Sequence, residues 1–331
     1  MKKVVILAAE NCVLSTIAAP MDMFLQAGVL WNMTVGEKPN PEFEVKIVTA
    51  DGKPIMALNN ISIAPVCSMY DITDVDLIVI PSQGFFYDVK SDTHKEKVAW
   101  LTQWYEKGAD LAAICAGAFT LAATGLLDGR KATTHWGLAN QFRKLFPKVD
   151  LQIDCMVTDE DRLFCGGGIT ADLNLSLYLI EKYCGREAAL QGSRCMLVDM
   201  DRTSQAPFSV FLPNKEHEDK EILQAQKWLE DNYKENIKTE MLAEKAGTSL
   251  RQFNRRFKSA TGETAIKYLQ HMRVEAAKIL LVTTQQSFDE ISPVVGYENV
   301  SFLRRVFRGI VGITPIEFRR KFGQPGLVSL A

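Results

Sequence analysis

The sequence predicts an α/β amino-terminal domain, built on a parallel sheet flanked by helices, followed by an all-α carboxyl-terminal domain with two helix-turn-helix units. Three observations predict it. Short β-rich runs alternate with helical stretches over residues 1 to about 190. Helical periodicity takes over between Glu221 and Phe322. Within that last third, two segments are similar to each other at an offset of about 50 residues.

Length and composition bound the answer. The chain has 331 residues, 47% hydrophobic and 24% charged, with a net charge of −2, a globular composition long enough for two domains with real cores. The opening apolar run, Val4 to Ala9, is stopped by Glu10 and is too short for a signal peptide or an anchor. The longest uncharged stretch, Leu111 to Leu127, falls below the spanning threshold of about 18 to 20 residues and contains Gly117 and Gly125. It reads as buried strand, turn and helix, and no membrane association is expected. Seven cysteines (Cys12, Cys67, Cys115, Cys155, Cys165, Cys184 and Cys195) are an odd number without a Cys-x-x-Cys pair. Neither a disulfide framework nor a zinc module follows from them, so a cytoplasmic protein with no metal and no cofactor is expected.

In the amino-terminal part the strand runs are Val4 to Leu7, Glu44 to Thr49, Leu77 to Ile80 and Leu111 to Ile114. The helical stretches between and after them are Ser15 to Ala27, Lys95 to Lys107, Gly117 to Thr124 and Leu173 to Tyr183. This alternation gives a mainly parallel sheet covered on both faces, whose ligands bind at the carboxyl ends of the strands. The informative point is Ala112-Ala113-Ile114-Cys115-Ala116-Gly117-Ala118, where an apolar strand ends at a cysteine and small residues open a helix. Small neighbours permit a strained strand-to-helix turn, and the positive helix amino terminus favours a thiolate there. His135 follows 20 residues later, in Lys131-Ala132-Thr133-Thr134-His135-Trp136.

Apolar patterning stops at Pro213-Asn214-Lys215-Glu216-His217-Glu218-Asp219, which divides the chain into a domain at 1–212, a linker at 213–219 and a domain at 220–331. From residue 220 onward 18 Lys and Arg stand against 12 Asp and Glu, a charge of +6, whereas the preceding residues carry −8. A basic tail on an acidic body points to a polyanionic partner for the tail.

The tail repeats itself. Leu250, Phe253 and Phe257 correspond to Val300, Leu303 and Phe307, and Lys258, Gly262 and Thr264 to Arg308, Gly312 and Thr314. Each copy opens with a short apolar helix, Met241 to Ala246 or Glu290 to Val295, and meets a glycine, Gly247 or Gly296, suited to a tight inter-helix turn. In the second helix of each copy the matched apolar residues face inward. Arg251, Asn254, Arg255 and Lys258 are left outward in the first, and Ser301, Arg304, Arg305 and Arg308 in the second. Arginine can grip guanine O6 and N7 through two hydrogen bonds, and its charge suits phosphate. The stretch Ala265 to Val282 reads as a helix of roughly 27 Å joining the copies, which can hold two recognition helices about one duplex turn apart. Pro293 removes a backbone donor inside the first helix of the second copy, which is expected to loosen that unit. Phe302, on the outward face, either touches a thymine methyl group or packs on a neighbouring helix.

These residues resemble the carboxyl-terminal domain of the AraC/XylS family of transcription regulators. The resemblance covers about 100 residues and includes Phe253-Asn254-Arg255-Arg256-Phe257-Lys258, the run from Met272 to Leu281, and the ending Gly312-Ile313-Thr314-Pro315-Ile316-Glu317-Phe318-Arg319. It implies sequence-specific binding of double-stranded promoter DNA by both recognition helices, and contact with RNA polymerase.

The amino-terminal part, over roughly residues 3 to 208, is similar to the PfpI-type, class I glutamine amidotransferase-like superfamily, and this resemblance implies a flavodoxin-like sheet. Its nucleophile elbow and downstream histidine match Cys115 and His135, and further similarity lies in Ala19-Pro20-Met21-Asp22-Met23-Phe24 and Arg202-Thr203-Ser204-Gln205-Ala206-Pro207-Phe208. Two departures weigh against turnover. Thr16 stands where catalytic members place an acidic side chain, and a threonine cannot shuttle a proton at neutral pH. Ser82-Gln83 replaces a Gly-Gly pair that supplies an oxyanion donor, although the Gln83 N–H remains. The preferred expectation is therefore a regulator with no catalytic residues, whose pocket binds a small-molecule effector and is lined by Thr16, Gln83, Gly84, Phe85, Cys115, Ala116 and His135. The alternatives are a Cys115-dependent amidase, protease or glyoxalase-like enzyme with a DNA-binding tail, and Cys115 as an oxidation sensor. A homodimer is expected.

Overall fold

A computed structural model describes residues 1–84 and 92–324 and divides the chain into two compact units, one spanning Met1–Gln205 and one beginning at Ala206. The first unit holds strands β1 (Lys2–Leu7), β2 (Phe43–Thr49), β3 (Ile55–Met56), β4 (Ser62–Ile63), β5 (Cys67–Ser68), β6 (Leu77–Ile80), β7 (Asp110–Ile114), β8 (Lys131–Ala132), β9 (Asp150–Leu151), β10 (Val157–Glu160) and β11 (Leu163–Gly166). Its helices are α1 (Ser15–Gln26), α2 (Leu30–Thr34), α3 (Asp92–Glu106), α4 (Gly117–Ala123), α5 (Ala139–Leu145), α6 (Ala171–Cys184) and α7 (Arg186–Met196).

Seven strands form the main sheet in the order β10-β11-β7-β6-β1-β2-β5, parallel throughout except for β10 against β11. The four strand runs expected from the sequence are the central strands β1, β2, β6 and β7. Parallel strands are buried on both faces, which is why they read as continuous apolar runs rather than alternating ones. In β1 the alternation serves both cores. Val5 and Leu7 join Trp100 and Leu101 of α3, Phe119 of α4 and Phe142 of α5 on one face. Val4 and Ile6 join Met23 and Phe24 of α1 and Leu175 and Ile180 of α6 on the other. The chain leaves β1 for β2 on one side and returns to β6 on the other, so the topological switch point lies between β1 and β6.

The second unit is helical, with α8 (Lys220–Asn232), α9 (Thr239–Lys245), α10 (Leu250–Thr261), α11 (Ala265–Thr283), α12 (Phe288–Val294), α13 (Val300–Val311) and α14 (Pro315–Phe322). The duplication extends to the helix ends. Ser249 and Asn299 cap α10 and α13 through their side chains, Gly262 and Gly312 end them at φ +86° and +79°, and Thr264 and Thr314 cap the next helices. The left-handed backbone at both glycines is the physical reason for their repetition. Helix α12 runs through Pro293 and is held at its start by a reciprocal Ser287–Glu290 capping box.

The division expected at residues 212 and 213–219 falls inside the second unit. Phe208 meets Phe322 at 5.4 Å between ring centroids and Phe211 meets Tyr268 at 5.1 Å. The Lys278 ammonium donates to Ser209 O at 2.6 Å, Asn214 Nδ2 to Ala260 O at 3.0 Å, and Gln226 Nε2 to Asn214 O at 2.9 Å. Aromatic anchors and buried polar contacts thus tie this segment to the helices that follow it. No helix among the described residues is long and apolar enough to cross a membrane.

Candidate functional site

The α/β unit gathers its chemistry at the carboxyl ends of β1, β6, β7 and β11. Cys115 sits between β7 and α4 at φ +54°, a conformation costly for a residue with a Cβ, and its N–H donates to Gly166 O of β11 at 2.8 Å. Gly117 makes the turn possible, since a Cβ there would lie 2.3 Å from Ile80 O. The strained elbow expected from the small residues is present. Its thiol, however, is only 5% exposed, and burial pushes its pKa up. The Ser82 hydroxyl and the Ala116 N–H, which bond to the sulfur, act in the opposite direction but do not overcome burial.

Thr16, at the start of α1, is fully buried. Its hydroxyl donates to Val13 O at 2.7 Å and accepts from the Ser82 N–H at 3.1 Å. The one proton it carries is thus committed to Val13 and is unavailable to the cysteine. Gln83 is half-buried, and Gly84 is buried at φ +69°. Phe85 lies outside the described residues.

His135 follows β8 and is half-buried, with its ring against Trp136 at 5.2 Å between centroids. Its Nδ1 accepts the Gly137 N–H at 3.1 Å, which places the proton of the neutral imidazole on Nε2. Burial lowers its pKa, so the ring is neutral near pH 7. The adjacent Thr134 hydroxyl donates to Cys115 O at 2.8 Å and links the histidine loop to the elbow.

Sequence reasoning missed three contributors. Ser82 faces the thiol. Gln205, buried at 3% exposure, pins the histidine loop, donating from Nε2 to Thr134 O at 2.8 Å and accepting the Trp136 N–H at 3.2 Å. Asp172, in the first turn of α6, is 2% exposed, its carboxyl is pushed up to about 7 by burial, and its charge acts on Cys115. The Leu173 N–H and the Arg202 charge pull the other way on Asp172. The run Gly166-Gly167-Gly168 ahead of the α6 start was the available signal for that acid.

In the helical unit, Phe253 and Phe257 of α10 and Leu303 and Phe307 of α13 are fully buried. Arg251, Arg255 and Lys258 on α10 and Ser301, Arg304, Arg305 and Arg308 on α13 are exposed, with Asn254 intermediate. Leu250 departs from the expected inward face: it is 38% exposed, because as the first residue of α10 it precedes the turns that meet the core. The cations are not equivalent. Arg304 is ion-paired with Asp289 of α12, and Arg256, which no outward face claimed, is held by Asp219 and Glu221. Phe302 packs its ring on Tyr297 at 5.7 Å and carries the Arg305 guanidinium over it at 5.1 Å.

Comparison with known proteins bears on both units. Residues 2–182 match the DJ-1/PfpI family and residues 242–321 match the helix-turn-helix domain family. The HTH-type transcriptional regulator GbdR of Pseudomonas aeruginosa is 27% identical over 282 residues, covering 84% of this chain and 74% of that protein. Isonitrile hydratase of Pseudomonas putida is 26% identical over 150 residues, covering 45% of this chain and 63% of that protein. The crystal structure of an AraC family transcriptional regulator from Pseudomonas putida superposes with a TM-score of 0.51 at 17% identity, covering 59% of this chain and 100% of that one, and this shows a shared fold. The chain belongs to the DJ-1/PfpI family, joined in one polypeptide to an AraC-type helix-turn-helix domain.

Proposed function

We propose that the chain is a sequence-specific DNA-binding transcription regulator whose α/β unit is a non-catalytic pocket for a small-molecule effector. The observation that carries the DNA-binding part is the matched pair α10 and α13, each buried by two apolar side chains and each presenting a row of exposed cations. A 19-residue α11 between them, about 28 Å long, suits successive major grooves. Base reading is assigned to Arg251, Asn254, Arg255, Lys258, Ser301, Arg305 and Arg308, with Arg304 joining after release from Asp289. Selecting duplexes from a random pool with the full chain, then measuring affinity against salt, tests this. The expected result is a steep loss of affinity as salt rises. Absence of salt-sensitive binding to every duplex overturns it.

The effector reading is supported by a site that keeps its geometry while losing the groups turnover needs. The thiol is held protonated, His135 presents Nε2–H rather than a free lone pair, and Thr16 has no proton to give. An effector that prefers one arrangement of the chain by about 1.4 kcal/mol changes the equilibrium tenfold. A homodimer would present four recognition helices and raise operator affinity through effective concentration, and contact with RNA polymerase would turn occupancy into a change in transcription. Sedimentation mass and transcription with purified polymerase test these two partners.

The retained Cys115 elbow, together with the similarity to a protein named isonitrile hydratase, favours a second reading as a cysteine-dependent enzyme. Ligand-dependent operator binding by Cys115→Ser separates the two. If it is retained, the effector pocket stands, and if it is lost along with a measurable turnover, the enzyme stands.

A further inference from the structure

Phe302 belongs neither to the buried core of its unit nor to the row of cations beside it. It is the third residue of α13, at the end of a recognition helix that meets base edges, and it is 37% exposed. Its ring packs on Tyr297 at 5.7 Å between centroids, and the Arg273 guanidinium lies over the buried Tyr297 ring at 4.8 Å. Arg273 is itself fixed, donating from Nε to Tyr233 O and from a terminal nitrogen to Glu235 O, both at 2.7 Å. The Phe302 ring in turn carries the Arg305 guanidinium at 5.1 Å. A stack of four side chains thus runs from the interior of the unit to its outward face, and packing of this kind holds the outermost pair in place.

The duplication shows that a recognition helix here does not need this ring for its own packing. At the matched position of α10 stands Gln252, which is exposed and whose Oε1 accepts the Thr248 hydroxyl at 2.9 Å. The turn that supplies Tyr297 is also one residue longer than its counterpart. Tyr297 and Glu298 separate Gly296 from the Asn299 cap, whereas Thr248 alone separates Gly247 from the Ser249 cap. Arg255 and Arg305 match, so the ring and its support are what set the second unit apart.

We propose that Phe302 and Arg305 form one reading head that selects a thymine beside a guanine in the half-site of the second helix-turn-helix unit. The ring covers the thymine 5-methyl group while the guanidinium bonds to guanine O6 and N7. The inference rests on the DNA-binding reading above and adds what one half of the operator must contain. The methyl group is the one apolar feature of the major-groove edge, and an aromatic ring held at the start of the helix is the side chain suited to it. Because Gln252 offers a polar edge at the matched position, the two half-sites differ in sequence, and methyl recognition by a ring is confined to the one read by α13.

The test uses the full chain and a duplex that it has selected from a random pool. Each thymine of that duplex is replaced in turn by deoxyuridine, which removes only the 5-methyl group, and the ratio of the two affinities is measured for the natural chain, Phe302→Ala and Arg305→Ala. At one thymine, beside a guanine whose preference Arg305→Ala relaxes, the natural chain is expected to lose about fourfold in affinity, the worth of one buried methyl group. Phe302→Ala is expected to bind both duplexes equally. Each ratio compares two duplexes on the same variant, so a lower folded fraction does not move it. The proposal is overturned if no methyl-sensitive thymine stands beside an Arg305-dependent guanine, or if the methyl effect survives in Phe302→Ala. Either result leaves the regulator reading standing, because salt-sensitive binding of the selected duplex tests that separately. A chain that selects no duplex removes both.

Discussion

The Thr16 hydroxyl and the Ser82 backbone N–H are joined by a buried hydrogen bond of 3.1 Å, which ties the turn after β1 to the end of β6. The Val13 N–H donates to Ser82 O at 2.8 Å, so two bonds join these two strand ends, and the same Thr16 hydroxyl braces the turn itself by donating to Val13 O. Thr16→Val keeps the shape and removes the oxygen, leaving the buried Ser82 N–H without its acceptor, while the Val13 carbonyl still accepts the backbone N–H of residue 16. A loss of about 1–3 kcal/mol in urea unfolding is expected, with Thr16→Ser recovering most of it. A Thr16→Val chain as stable as the natural one would show that these bonds contribute nothing net.

Reactivity of Cys115 follows from its surroundings. Because burial raises the thiol above its ordinary value, alkylation at pH 7 is expected to be slower at Cys115 than at the partly exposed Cys155 and Cys195, and to accelerate steeply with rising pH. Ser82→Ala removes a hydrogen bond to the thiolate and should slow alkylation further at each pH. Residue-resolved mass spectrometry after timed iodoacetamide treatment reads both effects, and rapid, pH-independent modification of Cys115 would refute this account of a protonated thiol.

Asp172 gives a stability prediction with a definite sign. Its folded-state value of about 7 lies above the ordinary carboxylate value near 3.9, so between those two pH values the folded chain holds a proton that the unfolded chain has released. The stability from this group is fully present below about pH 4 and is lost as pH rises toward 7. Asp172→Asn removes that penalty. It should stabilise the chain by roughly 1–4 kcal/mol at pH 8 and change little at pH 4. Because the Asp172 charge raises the Cys115 thiol, the same variant should also speed Cys115 alkylation above pH 7. Denaturant unfolding at the two pH values checks the first effect, and equal gains at both would contradict the linkage.

What the sequence disclosed and what it hid divide along a physical line. Strands β1, β6 and β7 and helices α10 and α13 were legible because their signals are local: apolar runs, spacings of three and four, and the paired glycines Gly262 and Gly312. The elbow was legible for the same reason, since the small residues around Cys115 are contiguous. Ser82 and Asp172 were not, because their roles come from where β6 and α6 end relative to β7, which chain proximity does not encode. The boundary reads at residue 212 because apolar patterning stops over 213–219, yet Phe208 and Phe211, on the amino-terminal side of it, find partners in Phe322 and Tyr268, far along the chain. Arg256 and Arg304 show the same limit, for a cation's exposed position says nothing of whether a carboxylate already holds it.

That difference among cations sets the prediction for DNA. Arg255 and Arg305 are exposed, lie on matched faces of α10 and α13, and form no ion pair among the described residues. Arg255→Ala and Arg305→Ala are each expected to weaken specific operator binding by about 1–3 kcal/mol. Arg304→Ala should cost less, because Arg304 must first leave Asp289, and Asp289→Ala should raise salt-sensitive affinity by freeing it. Arg256→Ala should leave the salt dependence of binding unchanged and lower stability instead, since its guanidinium is held by Asp219 and Glu221 at 2.6 and 2.7 Å and only 27% of its side chain is exposed. Titrations of each variant against one selected duplex, at several salt concentrations, separate the two classes. Unchanged affinity in both Arg255→Ala and Arg305→Ala would remove those side chains from the interface, and a large loss in Arg256→Ala would place the reading face on the opposite side of α10.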